Sequence, residues 1–414
     1  MGTDTIERAG GHYTIISADC HAGGSHQAYR EYLDRAYLDD FDAWRNKYKN
    51  PFKDLGDQRR YRNWDNEMRN GQQEADGIVG EVVFPNTVPP FYPGFVLFAG
   101  PPKPDDYEHR RAGLKAHNRW LVDFCASRPG TRAGIGQIFL NDVDDAIEDA
   151  KWIKEAGLRG GVLIPNIAPD VKWVKPLYDP YYDPLWEVCQ DMDIPVTLHG
   201  GTGSPDYGKY AATPIIMISE VGFYTYRPFV HMLLSGVFER FPRMKFVMTE
   251  AGAAAFPPML KLLDRNIENV RKGEIGELKY TAENALPRSA TEYFQQNVWL
   301  GASFPGPDDW KASRLLGPDR FMWGNDYPHD EGSGPYTRET LRAVFSDVPE
   351  AEMRAVLGGN AAKLYGFDLD ALSPLAAQFG PTVEEIATPL TPQDLPEKPN
   401  SALLRATNKG GLAA

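Results

Sequence analysis

Eight short apolar or β-branched runs recur along this chain of 414 residues, and each is followed by a stretch of helical period. That is the pattern of βα units and not of hairpins. The runs are 13–19 (YTIISAD), 81–86 (EVVFPN), 132–140 (RAGIGQIFL), 160–165 (GGVLIP), 195–199 (PVTLH), 245–250 (KFVMTE), 298–304 (VWLGASF) and 320–326 (RFMWGND). Eight is the strand number of the closed parallel barrel. Helices are expected over 105–128, 142–156 and 183–191, with Gly157 closing the second as a C′ residue. An open doubly wound sheet would normally carry a glycine-rich phosphate turn after an early strand, and neither GxGxxG nor GxxxxGK[ST] occurs. The expected fold is therefore α/β, a (β/α)8 TIM barrel over residues 1–370.

Two stretches depart from the repeat and read as insertions after strand ends, 29–73 (rich in Tyr, Trp, Arg and Asp) and 200–226 (rich in Gly, Tyr and Pro). Barrel enzymes carry substrate-shaping loops at such places. Aromatic residues of the flanking region, Trp44, Tyr48, Tyr61, Trp64, Phe91 and Tyr92, point to a flat or apolar substrate. Residues 371–414 read as a Pro-rich, extended C-terminal arm.

The 44 basic and 57 acidic side chains leave a net charge of −13. This opposes binding to a phosphate backbone, which needs clustered Lys and Arg. No apolar run approaches the roughly 18–20 residues that span a bilayer, and the first residues lack the pattern of a secretory leader. Neither a membrane nor nucleic acid is expected as a partner. The three cysteines contain no CxxC pair, which argues against a disulfide framework or a zinc ribbon and fits a cytoplasmic protein.

Reactive side chains of a barrel sit at the C-terminal ends of its strands. The first run ends in Asp19-Cys20-His21, and residues two apart on a strand share a face, so Asp19 and His21 can both look inward while Cys20 packs away. The fifth ends at His199, the sixth at Glu250 and the eighth at Asp326. Imidazole and carboxylate without thiolate suits Zn²⁺, Mn²⁺ or Fe²⁺. Asn86 and Asn166, at the ends of the second and fourth runs, are candidate pocket donors. Arg227 is a candidate clamp for a substrate carboxylate, and His329 a candidate donor to the site. His231 reads as a helix histidine, and His109 and His117 as solvent-facing on a polar helix.

The motifs ISADCH, VTLHGG, SGVFERFPRMKFVMTEAG, FMWGNDYPH and LGGNAAKLYGF resemble those of the amidohydrolase-2 group of the amidohydrolase superfamily. That group includes aminocarboxymuconate semialdehyde, dihydroxybenzoate and resorcylate decarboxylases. The resemblance runs from about residue 13 to 367. It implies one divalent metal held by Asp19, His21, His199 and Asp326, and a homodimer or larger homo-oligomer. Two positions depart from the pattern: Asp19 stands where many members have His, and Glu250 where the decarboxylases carry a proton-handling His. The expected activity is metal-dependent hydrolysis of a small organic substrate (an amide, ester, lactone or vinylogous carbonyl) by metal-activated water, with zinc as the first expected ion and manganese or iron open. In that reading Asp326, Glu250 and His199 are catalytic. The alternatives are non-oxidative decarboxylation of an aromatic or unsaturated acid, and an inactive barrel acting as a binding subunit.

Overall fold

The computed structural model describes residues 11–49, 58–94, 99–275, 277–281, 283, 285–397 and 404. Eight parallel strands form one sheet, β1 (Ile15–Ala22), β2 (Ile78–Pro85), β3 (Arg132–Gln137), β4 (Gly161–Leu163), β5 (Val196–His199), β6 (Phe246–Thr249), β9 (Val298–Ser303) and β10 (Phe321–Gly324), hydrogen-bonded in chain order. A small antiparallel hairpin, β7 (Glu274–Ile275) with β8 (Leu278–Lys279), stands outside it. The residues after β10 close the barrel at its C-terminal rim: the Asp326 amide donates to the Asp19 carbonyl at 2.9 Å, and the His21 amide to the Tyr327 carbonyl at 2.6 Å. Gly324 makes this approach possible, since a Cβ there would lie 2.8 Å from the Asp19 Cβ.

Each expected strand is found within about three residues of its expected ends, because buried parallel strands read as continuous apolar runs. The helices follow as expected: α4 (Tyr107–Ala126), α5 (Val143–Glu155), capped by Asp142 and ended by Gly157 at φ +86°, and α6 (Asp183–Asp191). The barrel interior is filled by alternate residues, among them Val82 and Phe84, Ala133 and Ile135, Leu163, Val247, Trp299 and Met322, and Leu364, Tyr365 and Phe367 pack against them. The outer faces of the strands join the helices in a second apolar cluster.

Strand β1 breaks strict alternation. Ile16 and Ala18 belong to the inner cluster, so regular pleating would turn Asp19 and His21 outward. The register with β2 slips between Ser17↔Glu81 and Cys20↔Val83, three residues against two. This bulge turns the parity over, and Asp19 and His21 face inward together.

The stretch 29–73 lies between β1 and β2 and is largely helical where described, with α1 (His26–Tyr32), α2 (Leu38–Lys47) and α3 (Asn66–Ala75), and 200–226, between β5 and β6, runs into the long helix α7 (Thr213–Leu234). Two expectations are corrected. Residues 371–397 are not an extended arm: helices Leu369–Phe379 and Val383–Ala387 fold back on the barrel, where the Tyr13 amide donates to Pro381 and His12 bridges to Thr382. Pro-rich composition misled here because Pro374 sits inside the first of these helices. His117 is fully buried, its Nδ1 2.8 Å from the Tyr29 hydroxyl, and burial lowers its pKa to about 3. No described helix is long and apolar enough to cross a membrane.

Candidate metal centre

Alternation places the last inward positions of the strands in one layer at the mouth. His199 of β5, Ser303 of β9 and Asp326 after β10 meet Asp19 and His21 there. Asp19, His21 and Asp326 are fully buried and His199 nearly so. His21 Nε2 lies 3.3 Å from Asp19 Oδ1 and 3.2 Å from Asp326 Oδ1, and His199 Nε2 lies 3.4 Å from Asp19 Oδ1. All four residues predicted as ligands are thus brought together.

The hydrogen bonds around them decide which atoms remain available. His21 Nδ1 faces the Pro85 carbonyl at 3.3 Å and His199 Nδ1 the Gly200 carbonyl at 3.0 Å. With Nδ1 donating to these carbonyls, each ring presents Nε2 to the carboxylates at the centre, the nitrogen that would turn its lone pair to a cation if one were bound. His21 Nε2 and Asp326 Oδ2 are buried without a hydrogen-bond partner among the described residues. Such orphaned atoms are costly unless something else meets them. Asp19, His21 and His199 converge within 4.8 Å of one another, as do His21, Asp326 and His329, and carboxylate with imidazole suits a divalent cation.

His329 differs. Its Nδ1 meets Asp326 Oδ1 at 2.8 Å and its Nε2 meets Asn86 Oδ1 at 3.2 Å, while Asn86 Nδ2 donates to Asn63. Both ring nitrogens are engaged, so His329 acts on Asp326, and with His21 and Asp326 it forms a second group of converging donor atoms.

Electrostatics agree with a site built for positive charge. Burial alone would lower the His21 pKa, but Asp19 and Asp326 raise it to about 10. Burial pushes the Asp19 and Asp326 carboxyls up, and the imidazoles more than reverse this, His199 and His21 for Asp19, His329 and His21 for Asp326. Glu250 goes the other way. Burial, then the charges of Asp326 and Asp19, outweigh His199 and raise it to about 7. Its position after β6 would point it outward, but φ of +53° swings the carboxylate to 3.4 Å from His199 Nδ1.

The remaining predicted residues are more dispersed. Asn166 donates to the carbonyls of Thr202 and Tyr224 at 3.0 and 2.6 Å and lines a cavity of about 380 Å³ that also touches His199. Arg227 lies on α7 and donates to the Ile167 carbonyl at 3.3 Å, outside the cluster. His231, also on α7, packs edge-on against Tyr178, and His109 is exposed and paired with Asp40. Cys20 is buried and turned to Gln73 and Asn325.

Two supports were not legible from strand ends. The Ser303 hydroxyl donates to Asp19 Oδ2, and Arg69 donates to the His21 carbonyl at 2.7 Å while paired with Glu81. A polar end to the seventh run was the available signal for Ser303.

A family model described as amidohydrolase matches residues 63–367. The chain is similar to the gamma-resorcylate decarboxylase of Polaromonas sp. (strain JS666), 23% identical over 258 residues, or 60% of this chain and 74% of that protein. It is also similar to the 2-amino-3-carboxymuconate-6-semialdehyde decarboxylase of Dictyostelium discoideum, 24% identical over 318 residues, covering 74% and 77%. Among solved structures it resembles 5-carboxyvanillate decarboxylase from Sphingomonas paucimobilis, with 21% identity, a TM-score of 0.62, and 86% and 100% of the chains covered. A dihydroxybenzoic acid decarboxylase from Polaromonas sp. JS666, with bound manganese and the inhibitor 2-nitroresorcinol, gives 19% identity, a TM-score of 0.58, and 86% and 97%. At these identities the solved structures establish the shared fold.

Proposed function

From the premise that this chain belongs to the amidohydrolase family, we propose that it is a metal-dependent, non-oxidative decarboxylase of an aromatic or unsaturated carboxylic acid. Asp19, His21, His199 and Asp326 would hold one divalent cation. The observation that carries the reading is that His199, one of the four donors, also walls a cavity with Tyr92, Phe139 and Trp173 on its sides. A flat ring there presents a substituent to the donors. The names of the relatives weigh the same way, so hydrolysis, the first expectation from sequence, gives place to its alternative. Buried, converging donors with orphaned atoms argue against an inert binding barrel. Manganese is the ion we assign, since the donors are two hard carboxylates with two imidazoles and a solved relative carries manganese; zinc is the ion against which it is measured.

When bound, the cation supplies positive charge beside a substrate oxygen and offsets the negative charge that develops as CO₂ leaves. The electrons of the broken C–C bond stay on the ring carbon, which takes up one proton. Glu250 is the group we assign to deliver it. Burial favours its protonated form, and its side chain, 30% exposed, borders a recess of about 240 Å³ through which water can return the proton. This accommodates the departure from the family's histidine at that strand. His329, held between Asn86 and Asp326, orients the Asp326 carboxylate. The reading includes assembly of two or more copies, to which the exposed Ile215, Ile218 and Phe223 of α7 would contribute.

The test is to load the protein with Mn²⁺ and offer carboxylated phenols in D₂O, measuring CO₂ and deuterium at the vacated carbon. In parallel, esters and lactones are offered in H₂¹⁸O. Solvent ¹⁸O in product with no CO₂ from any acid would return the assignment to hydrolysis.

A further inference from the structure

We propose, resting on the reading of the His199 cavity as the substrate site, that Gln137 with Tyr92 and Arg110 forms a subsite for an anionic oxygen at the far end of the substrate ring. Gln137 is the last residue of β3 and follows Ala133 and Ile135 in inward parity, so it lines the cavity. Its backbone is pinned by Asn118, which donates to the Gln137 carbonyl at 2.9 Å and accepts from its amide at 2.9 Å. The Tyr92 hydroxyl donates to Gln137 Oε1 at 3.3 Å. In that orientation Nε2 is left as the free donor.

Gln137 is only 4% exposed, and its Nε2 has no partner among the described residues. A buried donor in a cavity wall with nothing to give its proton to is a specificity device, because it rejects a ligand that cannot accept. Arg110 backs that wall, stacked on Tyr92 and Phe139, and is not itself a lining residue. It is 3% exposed, its guanidinium lies 4.4 Å from the Tyr92 ring centre and 5.4 Å from that of Phe139, and Nη1 donates to the Gly100 carbonyl at 2.8 Å. Nε and Nη2 meet no acceptor among the described residues. A guanidinium withdrawn from water without a carboxylate partner is stabilised by negative charge arriving on the cavity side of the Tyr92 and Phe139 rings.

Strand register sets the reach. Gln137 pairs with Leu163 and Leu163 with Thr197, and His199 is two residues beyond Thr197 on β5. Two strand spacings, together roughly 10 Å, with an offset of roughly 7 Å along β5, put the two backbone positions roughly 12 Å apart, a gap the two side chains shorten. A ring lying across that gap has one substituent at the metal-binding donors and the opposite one at Gln137. The substituent is an anionic oxygen, from a second carboxylate or from a phenolate.

Titration calorimetry on the Mn²⁺-loaded protein with benzoate, terephthalate and 4-hydroxybenzoate separates the two sources. One substituted acid should bind at least about tenfold more tightly than benzoate, terephthalate marking a carboxylate and 4-hydroxybenzoate a phenolate. Gln137→Leu and Arg110→Met should each remove that preference, with benzoate affinity and manganese content unchanged. Gln137→Glu keeps the size of the side chain and replaces the donor by an acceptor, so it should turn the preference against terephthalate. Equal affinity for all three acids in the wild type, or a preference that survives both Gln137 variants, would overturn the subsite. A protein that shows the preference but releases no CO₂ keeps the subsite and loses the decarboxylase reading, and the reverse result does the opposite.

Discussion

At the scale of single residues, the two carboxylates that end β6 and β10 share an unusual backbone. Glu250 and Asp326 have φ of +53° and +60°, a conformation that costs a non-glycine residue on the order of 1–3 kcal/mol. Both positions spend that strain on aiming a carboxylate at the mouth, and their roles can be separated. Glu250→Gln should keep about one Mn²⁺ per chain by elemental analysis while lowering the rate of CO₂ release by roughly 10²–10⁴-fold, the usual contribution of a proton donor. Loss of the metal together with activity would make Glu250 a ligand instead. Glu81 shows the opposite use of a carboxylate. Burial raises its pKa, but Arg69 and Arg132 outweigh this and lower it to about 2. Its folded pKa is below the unfolded value of about 4.3, so its contribution is present above pH 4.3 and lost as the pH falls through 2. Glu81→Gln should cost about 3–5 kcal/mol at pH 7, because two buried guanidinium groups lose their counter-charge. In urea unfolding, the gap between wild type and variant should narrow as the pH falls from 4.3 to 2; a gap independent of pH would mean the pair is not the source.

At the scale of elements, the site depends on where helices meet strand ends. Helix α4 carries Arg110 and Asn118 and lies so close to the loop after β2 that a Cβ at Gly113 would sit 2.0 Å from the Pro90 carbonyl oxygen. Gly113→Ala must push α4 away from the segment that bears Tyr92. It should destabilise the protein by about 1–3 kcal/mol and weaken ring binding; urea unfolding and calorimetry with benzoate measure both, and an unchanged midpoint would show that the contact is slack. The strands and the four clustered donors were legible in the sequence because each strand is a local apolar run with a polar terminus. That Asp19 and His21 share a face was legible from their spacing, but that the shared face is the inner one depends on the β1 bulge, and a bulge has no signature in one strand read alone. His117 sits on a helix with charged neighbours, but its partner Tyr29 is 88 residues away, and no periodicity records such a bond. The same holds for Arg69 on the His21 carbonyl and for Gln137 under Tyr92. The helices of 371–397 were hidden by proline content that tertiary packing overrode.

At the scale of the whole molecule, barrel closure and the candidate metal centre are one feature. The strand β1 and the segment after β10 meet through Asp19, His21, Asp326 and Tyr327, and the carboxylates that face the centre come from both sides of that seam. Bringing Asp19 and Asp326 together costs Coulomb energy, which His21 between them partly offsets. A cation held by β1, β5 and the segment after β10 would tie the first strand to the last. Because that arrangement of donors exists only in the closed barrel, a cation held there would bind the folded state selectively and stabilise it by RT ln(1 + [L]/Kd), about 4 kcal/mol at a thousandfold excess over Kd. The net charge of −13 favours cation approach in the same sense. Thermal unfolding should therefore shift upward with Mn²⁺ concentration and return on adding EDTA, and the slope against the logarithm of free metal should correspond to one ion per chain. Asp326→Asn should abolish the shift, since it removes a ligand charge from the closing segment, whereas Glu250→Gln should preserve it. A metal-dependent shift that persists in Asp326→Asn would place the ion elsewhere and separate the closure of the barrel from its chemistry.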